Sequence, residues 1–116
     1  MNIQINEYLD EKGNSPYRKW LSGLRDKKAK AIIGLQVDKM GIGLLGDPQP
    51  IGEGLSELRI HYGPGYRVYY GRESKKEYLL LCGGDKSTQK KDISRAKYYW
   101  ADYQERKHRH ENEQKR

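Results

Sequence analysis

The tripeptide Gly63-Pro64-Gly65 constrains this chain more than any other feature. It joins two runs, residues 57–62 and 66–70, that both read as strands. Successive strand residues point to opposite faces, so Leu58 and Ile60 share one face and Glu57, Arg59 and His61 the other. In the second run Tyr66, Val68 and Tyr70 fall on one face, Arg67 and Tyr69 on the opposite one. So short a connection implies an antiparallel hairpin. Folded that way, the hairpin turns an apolar face to a core and gathers Arg59, His61, Arg67 and Tyr69 on an open face. Two guanidiniums, an imidazole and a phenol on one surface suit a phosphate-rich ligand.

The rest of the chain supplies what such a hairpin needs to pack against. Residues 2–9 alternate, with Ile3 and Ile5 on one face, and predict an opening strand. Ser15 fits a helix cap and Pro16 the first helical turn. Tyr17, Trp20, Leu21 and Leu24 then follow at helical spacing. After a break at 25–27, a second helix points Ala29, Ile32, Ile33, Val37 and Met40 inward. Residues 41–50 hold three glycines and two prolines and read as loop. The apolar run Tyr78-Leu79-Leu80-Leu81 predicts a central strand. Ser87 or Thr88 can cap a last helix that carries Ile93, Ala96, Trp100 and Tyr103.

This order predicts an α+β fold: a small, mainly antiparallel four-stranded sheet, with two N-terminal helices and one C-terminal helix on one side. A single domain spans 1–104, and the charged residues 105–116 read as a frayed or disordered tail.

Composition narrows the partners. The formal net charge is +7, and a basic small domain is suited to polyanions. Phenylalanine is absent, whereas ten tyrosines and two tryptophans supply flat rings that can stack on bases. No apolar run approaches the ~20 residues of a membrane span, and Met1-Asn2-Ile3-Gln4-Ile5 lacks the form of a signal peptide. The lone Cys82, in an apolar strand, reads as a buried thiol in a reducing cytoplasm. The expected location is cytoplasmic, with no membrane partner. No metal or cofactor is expected: His108 and His110 lie in the charged tail, and Gly83-Gly84-Asp85-Lys86 lacks the spacing of a nucleotide loop.

Metal-free RNA cleavage needs a group that takes the proton of a 2′-hydroxyl, one that protonates the leaving 5′-oxygen, and cations for the charge on phosphorus. Arg59 and Arg67 suit the cationic role. His61 suits acid or base work near neutral pH, and Lys86, emerging beyond the central strand, can transfer protons if crowded by arginines. Tyr62, Tyr66 and Tyr69 are candidates to stack on bases or donate a proton. Asp85 either pairs with Arg67 or Lys86 beside the RNA, or caps the turn that follows.

Three segments together resemble a known family. They are Gly54-Leu55-x-Glu57-Leu58-Arg59-Ile60, the run from Gly63 to Tyr70, and Leu79-Leu80-Leu81-Cys82-Gly83-Gly84-Asp85-Lys86-Ser87-Thr88-Gln89. The chain is similar, from Ile3 to about Tyr103, to the RelE/ParE toxin superfamily, and most to its phage-related addiction module killer (HigB-like) branch. The resemblance implies a RelE-like fold and the toxin of a type II toxin–antitoxin pair, a ribosome-dependent messenger-RNA endonuclease that inhibits translation. It implies as partners the ribosome, messenger RNA and a cognate antitoxin of helix-turn-helix type. It assigns catalytic roles to Arg67, Arg59 and Lys86. Glu57 stands where well-known members carry a lysine, and Asp92 near where they carry a catalytic tyrosine; His61 and Tyr69 are the substitutes this chain offers. The ParE branch, which poisons DNA gyrase, shares the fold but lacks the nuclease residues. A gyrase poison and a non-catalytic nucleic-acid or protein-binding module are the alternatives.

Overall fold

The computed structural model describes residues 2–115. Its elements run β1 (Gln4–Glu7), α1 (Pro16–Gly23), α2 (Lys27–Met40), β2 (Asp47–Gly52), β3 (Leu55–Ile60), β4 (Tyr66–Ser74), β5 (Glu77–Asp85), a 3-10 turn (Lys86–Thr88) and α3 (Gln89–Gln114). The strands form one sheet in the order β1-β5-β4-β3-β2. β1 is parallel to β5, and the other neighbours are antiparallel. The fold is α+β with three helices.

Two expectations about the sheet need correction. It has five strands, not four. The extra one, β2, lies in the segment read as loop because Pro48 and Pro50 argue against a strand. Proline is tolerated on an edge, where a missing N–H breaks no ladder bond, and β2 is the edge partner of β3 alone.

Nor do the helices share one side. α1 and α2 bury Tyr17, Leu21, Ala29, Ile33, Val37 and Met40 against Leu58, Ile60, Val68, Tyr70 and Leu80. α3 covers the opposite face, with Ala96 buried and Ile93, Trp100 and Tyr103 packed over Tyr69, Leu79 and Leu81. A strand covered on both faces has no reason to alternate, which explains the unbroken apolar run of β5. Each fully buried Leu or Val contributes roughly 1.5–3 kcal/mol, and Leu58, Val68, Leu80 and Leu81 are all in that position. The β4–β5 register shifts between Tyr69 and Tyr70, which pair with Cys82 and Leu80. The extra residue, Leu81, lets Leu81 and Cys82 both enter the second core.

The start of α1 follows the cap read from the sequence, whereas Thr88 precedes α3 without a side-chain cap bond. The Ser15 hydroxyl accepts from Arg18 N at 3.0 Å, with Pro16 opening α1. Asp26 accepts from the backbone N–H groups of Lys28 and Ala29 at 2.9 and 3.1 Å. Such caps contribute about 0.5–2 kcal/mol each.

The tail, expected to be frayed or disordered from 105, is helical through Gln114. Arg106 reaches Leu9 O and Asp102 Oδ2, both at 2.6 Å, and Lys107 Nζ pairs with Glu73 Oε1 at 2.7 Å. Side-chain pairs four apart and ties to the body carry the helix past the end of its apolar pattern. Arg116 lies outside the described residues. Among the described residues, no helix is long and apolar enough to cross a membrane.

Candidate nucleic-acid interface

β3 and β4 pair Arg59 directly with Arg67. The turn between them folds back on itself, with Gly65 N donating to Tyr62 O at 3.1 Å. Gly63 and Gly65 take φ values of 57° and 80°, the left-handed region that glycine enters without strain. A Cβ at Gly65 would lie 3.7 Å from Lys86 Cβ and 3.8 Å from Arg67 Nη1, so the 3-10 turn sets Lys86 against the hairpin tip. The outcome is an open cleft of about 450 Å³, lined among others by Arg59, His61, Tyr62, Tyr66, Arg67 and Lys86. Six of the eight site residues named from the sequence thus meet at one place.

The two arginines differ in availability. Like charges directly opposite on a sheet repel, and Glu57 lies between them. Its side chain is 3% exposed, with Oε2 2.7 Å from Arg67 Nε and Oε1 3.6 Å from Arg59 Nη2. Gln89 of α3 donates Nε2–H to the same carboxylate at 2.9 and 3.2 Å. Arg67 also donates from Nη1 to Gly65 O at 3.1 Å and is only 10% exposed at its side chain, against 37% for Arg59. Arg67 therefore serves as a strut of the hairpin tip as well as a wall of the cleft. Arg59 is the freer cation.

His61 stands at the rim with its Nε2 2.6 Å from Asp47 Oδ2. Asp47 also accepts from Gln49 Nε2 at 3.0 Å, through Oδ1. The hydrogen bonds from His61 and Gln49 hold the Asp47 carboxyl below the usual range.

The tyrosines separate. Tyr62 is half-buried in the cleft wall and donates its hydroxyl to Asp26 Oδ2 at 3.1 Å, with Lys28 Nζ 5.7 Å from its ring centre. Tyr66 is 7% exposed and edge-on to Trp20 of α1. Tyr69, expected on the open face as a stacking platform, is fully buried in the second core. The open face of the hairpin ends where α3 begins to cover it, between Arg67 and Tyr69. Asp85 does not line this cleft. Its carboxylate accepts from Ser87 N at 2.8 Å and caps the 3-10 turn, the other role read for it from the sequence.

Sequence reasoning missed Asp47, Gln89 and the part played by Glu57. Only Glu57 left a signal, since it shares the face of Arg59 by simple alternation. Beside the cleft, Asp92 is buried in the first turn of α3 and accepts from Thr88 Oγ1. Cys82 is buried too, and burial pushes its thiol pKa up to about 12. Among the described residues, no cluster of three or more His, Cys, Asp or Glu could hold a metal ion.

No family model matches the chain. A protein of Haemophilus influenzae, described as an uncharacterized protein, is 43% identical over 97 residues, which span 84% of this chain and 92% of that protein. At that identity over nearly the whole of both chains, this protein belongs to the family of that Haemophilus influenzae protein.

Proposed function

We propose that this protein is the toxin of a type II toxin–antitoxin pair, a RelE-like endonuclease that cuts messenger RNA on the ribosome. The observation that supports it best is the convergence of Arg59, Arg67, Lys86 and His61 on one open cleft at the hairpin tip. Two guanidiniums and an ammonium suit a phosphodiester whose phosphorus gathers charge during displacement, and an imidazole suits the accompanying proton transfer. The net charge of +7 draws the protein toward the ribosome's phosphate surface in a salt-dependent way. Burial of part of this cationic set by Glu57 leaves few free groups, which favours help from ribosomal RNA in holding the message in line. An acidic antitoxin, folding as it binds, would silence such a protein. Its docking sites would be the lysine-rich start of α2 (Lys27, Lys28, Lys30) and Tyr98 and Tyr99 of α3. The action would lie in the cytoplasm and call for no cofactor.

The test is a pair of assays on one message. Purified protein should leave naked RNA intact at concentrations that cut the same message in a translating extract, and added salt should weaken the cutting. Equal cutting in both would show a self-sufficient active site. Intact message in both, with DNA breaks in cells that express the protein, would replace this reading with gyrase poisoning.

A further inference from the structure

We propose that His61 is the general base of the cleft and that Asp47 is the residue that positions it. The proposal rests on the RNA-cleavage reading above and supplies the base that the sequence left unassigned.

The geometry fixes the tautomer. An ionised carboxylate offers only lone pairs, so the 2.6 Å contact requires that His61 Nε2 carry the proton and donate it to Asp47 Oδ2. In the neutral ring the lone pair is then on Nδ1, the atom able to accept a proton. The His61 side chain is 73% exposed, so Nδ1 is open to a ligand in the cleft. Asp47 is well held for this work. It pairs with Arg59 across β2 and β3, accepts from Gln49, and precedes Pro48, which restricts its backbone to extended conformations. The charged and titratable groups that line the cavities bordered by His61 are Asp47 from β2, Arg59 from β3, Tyr62 from the turn, Tyr66 and Arg67 from β4, and Lys86 from the 3-10 turn.

The step balances with these groups alone. Nδ1 takes the 2′-hydroxyl proton while the 2′-oxygen forms a bond to phosphorus. The bond from phosphorus to O5′ breaks, and O5′ takes its electron pair and a proton from the Lys86 ammonium. The products are a 2′,3′-cyclic phosphate and a 5′-hydroxyl. Asp47 stabilises the imidazolium formed, Arg59 the charge on phosphorus, and water then returns His61 and Lys86 to their starting states.

Two measurements test this. Nitrogen-15 NMR of the free protein at a pH where His61 is neutral should show the Nε2–H tautomer; an Nδ1–H tautomer would overturn the proposal. In the translating extract, His61→Gly should slow cleavage about 10²-fold or more, and added imidazole should restore part of the rate. Asp47→Asn should lower kcat about tenfold or more with KM little changed. His61 is exposed and leaves no core void when removed, so a folded variant is expected; circular dichroism checks it. Full-rate cleavage by both variants, with the wild type active, overturns the assignment and leaves the cleavage reading standing. A wild type that leaves the message intact overturns both.

Discussion

Glu57 Oε2 lies 2.7 Å from Arg67 Nε, with α3 closing over the pair through Gln89. At 3% and 10% side-chain exposure, neither charge has water to fall back on. Removing one partner of a buried pair typically costs about 3–5 kcal/mol, because the other charge stays buried and uncompensated. Arg67→Ala should therefore unfold at clearly lower denaturant concentration than wild type. Glu57→Gln with Arg67→Met together should lose less than Arg67→Ala alone. Urea titrations followed by circular dichroism decide it, and a near-neutral Arg67→Ala would show that the pair is not sequestered.

For the same reason Arg67→Ala is a poor test of function, and Arg59→Ala a good one. Arg59 is 37% exposed at its side chain against 10% for Arg67 and sits at 3.6 Å from Glu57, so its removal leaves Glu57 with its closer partner. Arg59→Ala should keep wild-type stability within about 0.5–1 kcal/mol, as for exposed pairs. It should lower cleavage about 10²-fold, the usual cost of one contact to developing charge. Growth arrest on expression, measured beside soluble protein, reads the outcome; undiminished arrest would remove Arg59 from the site.

Gly83 and Gly84 hold the end of β5 between α1 and α3. A Cβ at Gly83 would lie 2.2 Å from the Trp20 ring, and one at Gly84 would lie 1.8 Å from Asp92 Oδ2. Overpacking typically costs 1–3 kcal/mol, and here a whole indole or a buried carboxylate must move. Gly83→Ala and Gly84→Ala should each lower the melting temperature by several degrees. Because Lys86 follows two residues later, Gly84→Ala should also reduce cleavage more than its stability loss accounts for. Wild-type melting in both would mean that the sheet end yields easily.

The hairpin was legible because its alternation is local: Leu58, Ile60, Val68 and Arg59 follow from period two alone. The helices were legible because Ser15, Pro16 and the apolar stripes mark them without tertiary information. What alternation cannot tell is which face a later helix will cover. Arg67 and Tyr69 lie on one face, two residues apart, yet the start of α3 leaves one beside a cleft and buries the other. β2 was hidden for a different reason. Whether proline is tolerated in a strand depends on edge or centre, a property of sheet order and not of the segment itself. With β2 unseen, Asp47 could not be placed beside His61.

Tyr8 and Asp102 give a last prediction, at both ends of the pH scale. The Tyr8 hydroxyl donates to Asp102 Oδ2 at 2.6 Å, joining the start of the chain to α3, and Arg106 reaches the same oxygen. The hydrogen bonds from Tyr8 and Arg106 hold the Asp102 carboxyl below its usual range. A depressed carboxyl stabilises the fold above its unfolded value, about 3.9, and that stability disappears as pH falls through the folded value. Burial, reinforced by Asp102, pushes the Tyr8 hydroxyl up to about 12. A raised phenol stabilises the fold below its unfolded value, about 10, and that stability disappears as pH rises through the folded value. The bond therefore supports the fold on a plateau between those limits. Asp102→Asn should flatten the acid limb of unfolding free energy against pH, and Tyr8→Phe the alkaline limb, with neither variant changing cleavage at neutral pH beyond its loss of stability. Denaturant midpoints at about pH 3, 7 and 11 measure both limbs. Limbs unchanged in both variants would show that other groups, such as Tyr17 with its pKa also pushed up to about 12 by burial, set the pH range of this fold.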